Sequence, residues 1–414
     1  MTAQDRAMPP TAAPHPAPLP TEDSAHPALS RSLVLLMALA CGVVVANIYY
    51  AQPLVGLIGP AVGLSPETAS LVVTLTQVGY GAGLILLVPL GDLLENRRLV
   101  VVTLCSTVAA LLVAAVAPTA SLFLTASFLI GVTSVAVQML VPLAAHMAPE
   151  ASRGQVVGNV MSGLLLGILL ARPVSSLIAD SLGWRAVFGL SAVVMVGFAV
   201  LMRRVLPQRR PTGRSSYGAL LGSLGRLLVR TPVLQRRTVY QTMMFAAFSL
   251  YWTSVPLLLA GAPFHLSQRG IALFALSGAA GALVAPIAGR IADRGWTRPA
   301  TGFALAMAAL SFFVARAGEG SIALLVLAGL LLDMGVQMNM VLGQRAIYSL
   351  GAETRSRMNA IYMAIFFLGG AAGSALAGYA FAVGGWEPVT WIGFAFPAIG
   401  LLFYLTEFRG RPAA

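Results

Sequence analysis

From Ser32 onward the chain passes through twelve apolar stretches of roughly 18–25 residues, each long enough to cross ~30 Å of hydrocarbon as a helix. They lie near 33–55, 67–90, 99–117, 121–147, 155–179 and 185–203, then near 238–260, 269–289, 299–316, 321–347, 357–382 and 388–406. Inside a bilayer no water pairs with a loose backbone N–H or C=O, and a helix satisfies these groups within one segment. The chain is therefore read as an all-α membrane protein of twelve transmembrane helices, here spans 1 to 12. Hydrophobic residues make up 58% and charged residues 10% of the sequence, where soluble domains carry about a quarter charged. Cys41 and Cys105 both fall inside apolar runs and read as small core residues, not as disulfide partners.

Charge fixes which way the spans face. Twenty-six basic residues against fourteen acidic give a net charge of +12, and every basic residue is Arg. These residues sit in short gaps between apolar runs and not on a polar surface, so they mark membrane orientation and not a nucleic-acid partner. With the N-terminal tail inside, the inner side collects Arg97, Arg98, Arg153, nine Arg residues between 203 and 237, Arg290, Arg294, Arg298, Arg355, Arg357, Arg409 and Arg411. The opposite side keeps Arg185, Arg269 and Arg316. This asymmetry predicts a multi-pass protein of a bacterial-type inner membrane with both termini cytoplasmic.

Residues 1–31 carry seven prolines and few large apolar residues, the composition of a disordered tail. No basic segment leads into a short apolar core with a cleavage site, so a cleaved signal peptide is not expected. Residues 32–203 form a first six-helix bundle, 204–237 a basic cytoplasmic linker, and 238–408 a second six-helix bundle. Within the linker Leu220, Leu221, Leu224, Leu227 and Leu228 recur at helical spacing. Such a helix either lies on the inner membrane surface or packs on the protein.

Three landmarks then repeat in order. Asp92 in the gap after span 2 returns as Asp293 after span 8; Gln138-Met139 in span 4 returns as Gln337-Met338 in span 10; Gly183-Trp184 before span 6 returns as Gly385-Trp386 before span 12. The offsets are 201, 199 and 202 residues. Two parallel, pseudo-symmetric halves imply a cleft between them, the geometry of a rocking carrier.

The loop after span 8 carries Gly289, Asp293, Arg294 and Arg298 at the spacing G-x-x-x-D-R-x-G-R-R, with Trp296 at the second glycine. The loop after span 2 keeps Asp92 and the basic pair Arg97 and Arg98, with Leu93 at the first arginine. In these features, over about residues 32–410, the chain resembles the major facilitator superfamily, whose twelve-helix fold this loop latches closed on the cytoplasmic side. Span 5 carries Gly158, Gly167 and then Ala171, Arg172 and Pro173. It is similar to the G-x8-G-x3-G-P pattern of the drug:proton antiporter branch, with Ala171 at the last glycine. At the branch's helix-4 signature R-x-x-Q-G, alignment on Gly131 places Ser127 and Ile130 at the arginine and glutamine. The resemblance implies a secondary active transporter moving a small organic solute by alternating access, coupled to protons and directed toward efflux. Uptake of a small metabolite, or a transporter-like sensor, are the alternatives.

Charges inside a membrane span are costly and point to function. Two sit deep: Asp333 in the middle of span 10 and Arg172 in the outer half of span 5. The resemblance puts helices 1, 4, 7 and 10 around the central cavity, which places Asp333 there. Asp333 is read as a proton-coupling carboxylate, or else as one held statically by an ion pair or by Gln337 one turn on. Arg172 keeps its charge and either binds an anionic group of the substrate or pairs with Asp333. Asn47, Tyr50, Gln52, Gln77, Gln138, Gln241, Trp252, Gln337 and Asn339 are candidates to line the cavity, or to bridge neighbouring helices. Amides and rings of this kind suit an amphiphilic organic solute. The sequence has no His-Glu-x-x-His, Gly-x-Ser-x-Gly or P-loop pattern and no His or Cys pairs at metal spacing. Neither an enzyme activity, a cofactor nor a metal is expected, and a monomer suffices.

Overall fold

The computed structural model describes residues 30–211, 216–351 and 354–408; the proline-rich tail before residue 30, together with Arg214, Arg409 and Arg411, lies outside them. The described residues contain helices and turns and no strand. Ten helices are long and apolar enough to cross a bilayer whole: Leu71–Asp92, Asn96–Val116, Ala120–Met147, Arg153–Leu182, Trp184–Val205, Pro232–Ala260, Thr297–Ala317, Ile322–Tyr348, Arg355–Gly384 and Trp386–Phe408. They are spans 2 to 7 and 9 to 12.

Spans 1 and 8 are broken, and span 4 carries a 3-10 turn at Ser134–Ala136. Span 1 runs Arg31–Ala46, turns, and resumes as a 3-10 segment Gln52–Leu54 and a helix Val55–Val62. Its first part begins at Ser30, whose hydroxyl accepts from the Leu33 N–H at 3.2 Å. It ends at Asn47, whose amide turns back to the Val43 and Val44 carbonyls at 3.3 and 3.2 Å and satisfies groups freed at the helix end. Pro53, which has no N–H to donate, follows at the restart. Span 8 runs Gln268–Ala275, a 3-10 turn Leu276–Ala279, then Ala280–Asp293. The apolar run continues through both breaks, so hydropathy alone reads each as one helix.

The repeat has a local physical basis. Gly183 and Gly385 hold φ of +83° and +69°, a conformation that favours glycine, and each turns the chain into a helix headed by a buried tryptophan, Trp184 or Trp386. Each following segment closes the end of a neighbouring helix. Arg185 Nη2 donates to the Ala117 carbonyl at 3.0 Å, and Trp386 Nε1 to the Ala315 carbonyl at 2.8 Å.

Small residues bring backbones together inside each half. Spans 1 and 5 meet where Gly42, Gly163 and Gly167 face one another, and a Cβ at Gly163 or Gly167 would strike the backbone of Ala38 or Gly42. Gly163 and Gly167, four residues apart, make a small-xxx-small face on span 5. Gly131 meets the Thr76 carbonyl in the same manner between spans 4 and 2. The linker helix Tyr217–Arg230 packs on the protein: Leu220 and Leu224 are buried. Tyr217 Oη donates to the Leu86 carbonyl at 2.8 Å in the first half, and Arg357 Nη1 of the second half donates to Ser223 Oγ at 3.1 Å. The linker ends sooner than its charge pattern implies. Pro232 opens span 7, a position a helix accepts because the first N–H has no partner there. Arg236 and Arg237 then ride on the span, donating to Thr406 Oγ1 and Thr301 Oγ1 at 3.1 and 2.6 Å.

Gly163→Ala and Gly167→Ala should each lower the thermal unfolding midpoint in detergent, at a cost of about 1–3 kcal/mol for overpacking against backbone. Gly158→Ala, with nothing near its Cβ position, should stay within about 0.5 kcal/mol of the parent.

Candidate functional site

A cavity of about 790 Å³ lies between the halves. It runs from Ala145, Arg153, Tyr348 and Arg355, at the face where the arginine-rich loops gather, to Arg172, Gly278 and Asp333 at its far end. Its walls are mostly apolar and aromatic, with Tyr49, Tyr80, Phe245, Phe248, Phe366 and Phe367 among them. Beyond Arg172 and Asp333 the halves are stitched together. Gln77 Nε2 donates to Ser249 Oγ at 2.9 Å, and the Thr74 and Ser374 hydroxyls share a hydrogen bond of 2.9 Å. The Gly378 N–H donates to Ser70 Oγ at 3.3 Å, and Arg269 pairs with Asp180 at 3.6 Å. Among the described residues this last is the one ion pair that joins the halves. The molecule is thus closed at the face opposite the arginine-rich loops.

The two deep charges meet at the blind end without forming an ion pair. Arg172 is 4% exposed. Its Nε donates to Gln52 Oε1 at 2.7 Å, and its guanidinium carbon lies 5.3, 5.0 and 4.5 Å from the ring centroids of Tyr49, Phe248 and Trp252. Three π faces compensate part of the lost hydration of the cation. Arg172 Nη2 and Gln52 Nε2 are buried with no hydrogen-bond partner. Asp333, also 4% exposed, accepts from Trp252 Nε1 at 2.8 Å through Oδ1. Its Oδ2 faces Gly278, where a Cβ would sit 2.9 Å away. Trp252 therefore touches both charges, the carboxylate at its edge and the guanidinium at its face. The breaks in spans 1 and 8 bring Tyr49, Gln52 and Gly278 to this point, a use of discontinuous helices found in carriers.

The amide candidates divide. Gln138 and Gln337, a repeat-related pair, both line the cavity, and Gln138 Nε2 donates to Tyr80 Oη at 3.2 Å. Gln241 lines it and accepts from Asn339 Nδ2 at 2.7 Å; Asn339 itself lies behind the wall. Asn47 faces away and accepts from Ser191 Oγ at 2.6 Å, bridging spans 1 and 6. Tyr50, Gln52, Gln77 and Trp252 are also off the cavity wall, Gln52 and Trp252 standing behind Arg172 and Asp333, and the neighbour Tyr49 takes the place expected of Tyr50. Gln337 does not hold Asp333; Trp252 does.

The loop residues are placed by the open state of their face. Asp293 pairs with Arg345 of span 10, and Gly289 leaves room for that guanidinium, 3.3 Å from a Cβ position. Arg298 pairs with Glu407 at 3.2 Å, and Arg97 with Glu95 at 3.6 Å. Among the described residues Asp92, Arg98 and Arg294 make no ion pair. Among the described residues the ion pairs of these loops lie within one half, so the latch that the resemblance implies is not engaged through them here. Arg345 escaped the sequence reading because it ends an apolar run; its signal is the Asp293 loop one helix away.

Comparison with known proteins decides the family. The model of the Major Facilitator Superfamily matches residues 35–318 and 238–414. The chain belongs to this superfamily. The superfamily member is 41% identical over 386 residues to the "Uncharacterized transporter YgaY" of Escherichia coli O157:H7, covering 93% of this chain and 98% of the relative. It is 35% identical over 375 residues to "Probable transporter SCO4007" of Streptomyces coelicolor, covering 90% and 87%. Solved structures share its fold. A bacterial homologue of the human lysosomal transporter Spinster, in an inward-facing and unoccupied conformation, superposes with a TM-score of 0.75 at 13% identity over 92% and 97% of the two chains. The nucleoside transporter NupG (D323A mutant) gives 0.74 at 13% over 91% and 100%. The protein is a multi-pass membrane transporter of this superfamily.

In a background lacking Cys41 and Cys105, Met340→Cys and Met363→Cys on the cavity wall should react with a membrane-impermeant maleimide added at the arginine-rich face. Reagent at the opposite face should label neither in the resting protein.

Proposed function

We propose that the protein is a proton-coupled secondary transporter that exports a small amphiphilic organic solute across a bacterial inner membrane. Its termini and arginine-rich loops are cytoplasmic, and one chain is the working unit because both walls of the cavity come from it. The observation that carries this reading is the cavity itself. It is a mostly apolar chamber of about 790 Å³, a size that takes a metabolite or drug-sized solute, and two opposite charges stand at its blind end.

In this reading Asp333 is the proton site. An ionised carboxylate accepts a charge-assisted hydrogen bond from the Trp252 N–H, and protonation weakens that bond. Trp252 and Phe248 belong to the second half, whereas Arg172 belongs to the first. The cage around Arg172 is therefore part of the outer seal. Opening outward peels two of its three rings from the guanidinium, and the state of Asp333 sets how firmly Trp252 is held. Proton occupancy and outer opening are thus linked through one side chain, a two-state device that both proton and solute bias. On the cytoplasmic face, closing the mouth brings Asp92 and the Asp293 loop toward the opposite half, where they act as the latch the superfamily resemblance implies. The span 5 glycines and the cavity's cytoplasmic mouth favour export as the direction.

Asp333→Asn should abolish pH-driven transport in reconstituted vesicles while leaving solute counterflow in place. Unchanged pH-driven transport would remove Asp333 from coupling. In inverted membrane vesicles, acidifying the lumen should drive solute inward; loss of preloaded solute from the lumen would assign uptake instead.

A further inference from the structure

Resting on the transporter reading above, we infer that the cargo is an organic monoanion whose carboxylate docks on Arg172 and Gln52, with its apolar body in the aromatic chamber beneath.

The donors are in place and unused. Arg172 spends Nε on Gln52 Oε1, which fixes the guanidinium plane. Its Nη2 and the Gln52 Nε2 remain buried without an acceptor. A buried donor left without a partner is costly, and a carboxylate at this point supplies the missing acceptor. The three rings around the guanidinium hold it in one orientation, so little side-chain freedom is lost on binding. A planar fork of N–H groups matches two carboxylate oxygens.

Charge along the path points the same way. The charged side chains lining the cavity are Arg153 and Arg355 at the mouth and Arg172 and Asp333 at the end. Three positive groups against one negative draw an anion inward and repel a cation. Each inner charge keeps one atom engaged, Asp333 Oδ1 by Trp252 and Arg172 Nε by Gln52, so the balance of charge along the path decides the sign of the cargo. A single guanidinium and a neutral amide match one negative charge; a phosphate dianion would leave a charge unmatched in a low-dielectric pocket. The remainder of the chamber, with Phe245, Phe248, Met340, Met363 and Phe366, takes an apolar body.

The test uses four probes with a common body: phenylbutyrate, phenylbutanol, phenylbutylamine and phenylbutyl phosphate. Binding to the purified full chain in detergent is followed by titration calorimetry. Phenylbutyrate should bind tighter than the alcohol and the amine by about tenfold or more, the gain of a charge-assisted contact in a buried site, and the phosphate should bind no tighter than the carboxylate. Arg172→Gln should erase the preference for the carboxylate, read as the ratio of phenylbutyrate to alcohol affinity within the same variant. Gln52→Ala, a smaller perturbation should the first variant misfold, should lower the ratio of phenylbutyrate to alcohol affinity several-fold. Equal affinity for carboxylate and alcohol, tighter binding of the amine or of the phosphate, or no saturable binding of phenylbutyrate at millimolar concentration overturns the inference. So does a folded Arg172→Gln or Gln52→Ala protein that keeps the full preference. Carboxylate-selective binding without pH-driven transport leaves the anion site standing and sinks only the proton coupling.

Discussion

A guanidinium buried in the middle of a membrane protein has to be solvated by something other than water, and the centre of this molecule is built around that need. Arg172 receives one amide oxygen and three aromatic faces. Two of those faces come from the opposite half of the chain. The cost of burying the charge is therefore offset only while the halves are closed on the face opposite the arginine-rich loops, which ties the electrostatics of one residue to the conformation of the whole. The tight glycine contact between spans 1 and 5 serves the same arrangement, because it fixes Tyr49 and Gln52 relative to Arg172.

The two faces of the molecule are held by different means. On the face opposite the arginine-rich loops short hydroxyl, amide and backbone contacts join spans 2, 7 and 11, and each is weak enough to exchange for water when the halves part. On the arginine-rich side each ion pair sits within a single half, and the linker helix bridges the halves through Tyr217 and Ser223. A strap of this kind keeps the halves in register without sealing the mouth. Many small contacts on one side and a packed linker helix on the other let a domain pair rock without a large barrier.

Much of this was legible in the sequence, because lipid imposes simple rules. Length and apolarity located the twelve spans, and the cost of charge in hydrocarbon singled out Asp333 and Arg172. The repeated glycine before a tryptophan proved to be a positive-φ turn in both halves. What the sequence withheld depends on direction in space. Asn47, Gln77 and Asn339 looked like cavity residues because an amide in a span has no mark of which way it points; each is spent on a neighbouring helix. Tyr49 and Phe248 were hidden among many aromatic residues, since a cation–π contact leaves no spacing signature. The breaks in spans 1 and 8 were invisible for a third reason. Hydropathy reports burial in lipid, and a broken helix shielded by its neighbours stays as apolar as a continuous one.

The symmetry of the halves fails where the charges are. Counting 199 residues back from Asp333, the offset of the glutamine pair, reaches Ser134, and 200 on from Arg172 is Ala372. Duplication supplied a two-fold frame, and each copy then kept a single, opposite charge. The positive end of the resulting dipole is anchored in one copy and the negative end in the other, so the dipole lies across the seam. When the copies rock, the dipole turns within the electric field of the energised membrane. A turning dipole of this kind couples the conformational step itself to the voltage across the bilayer.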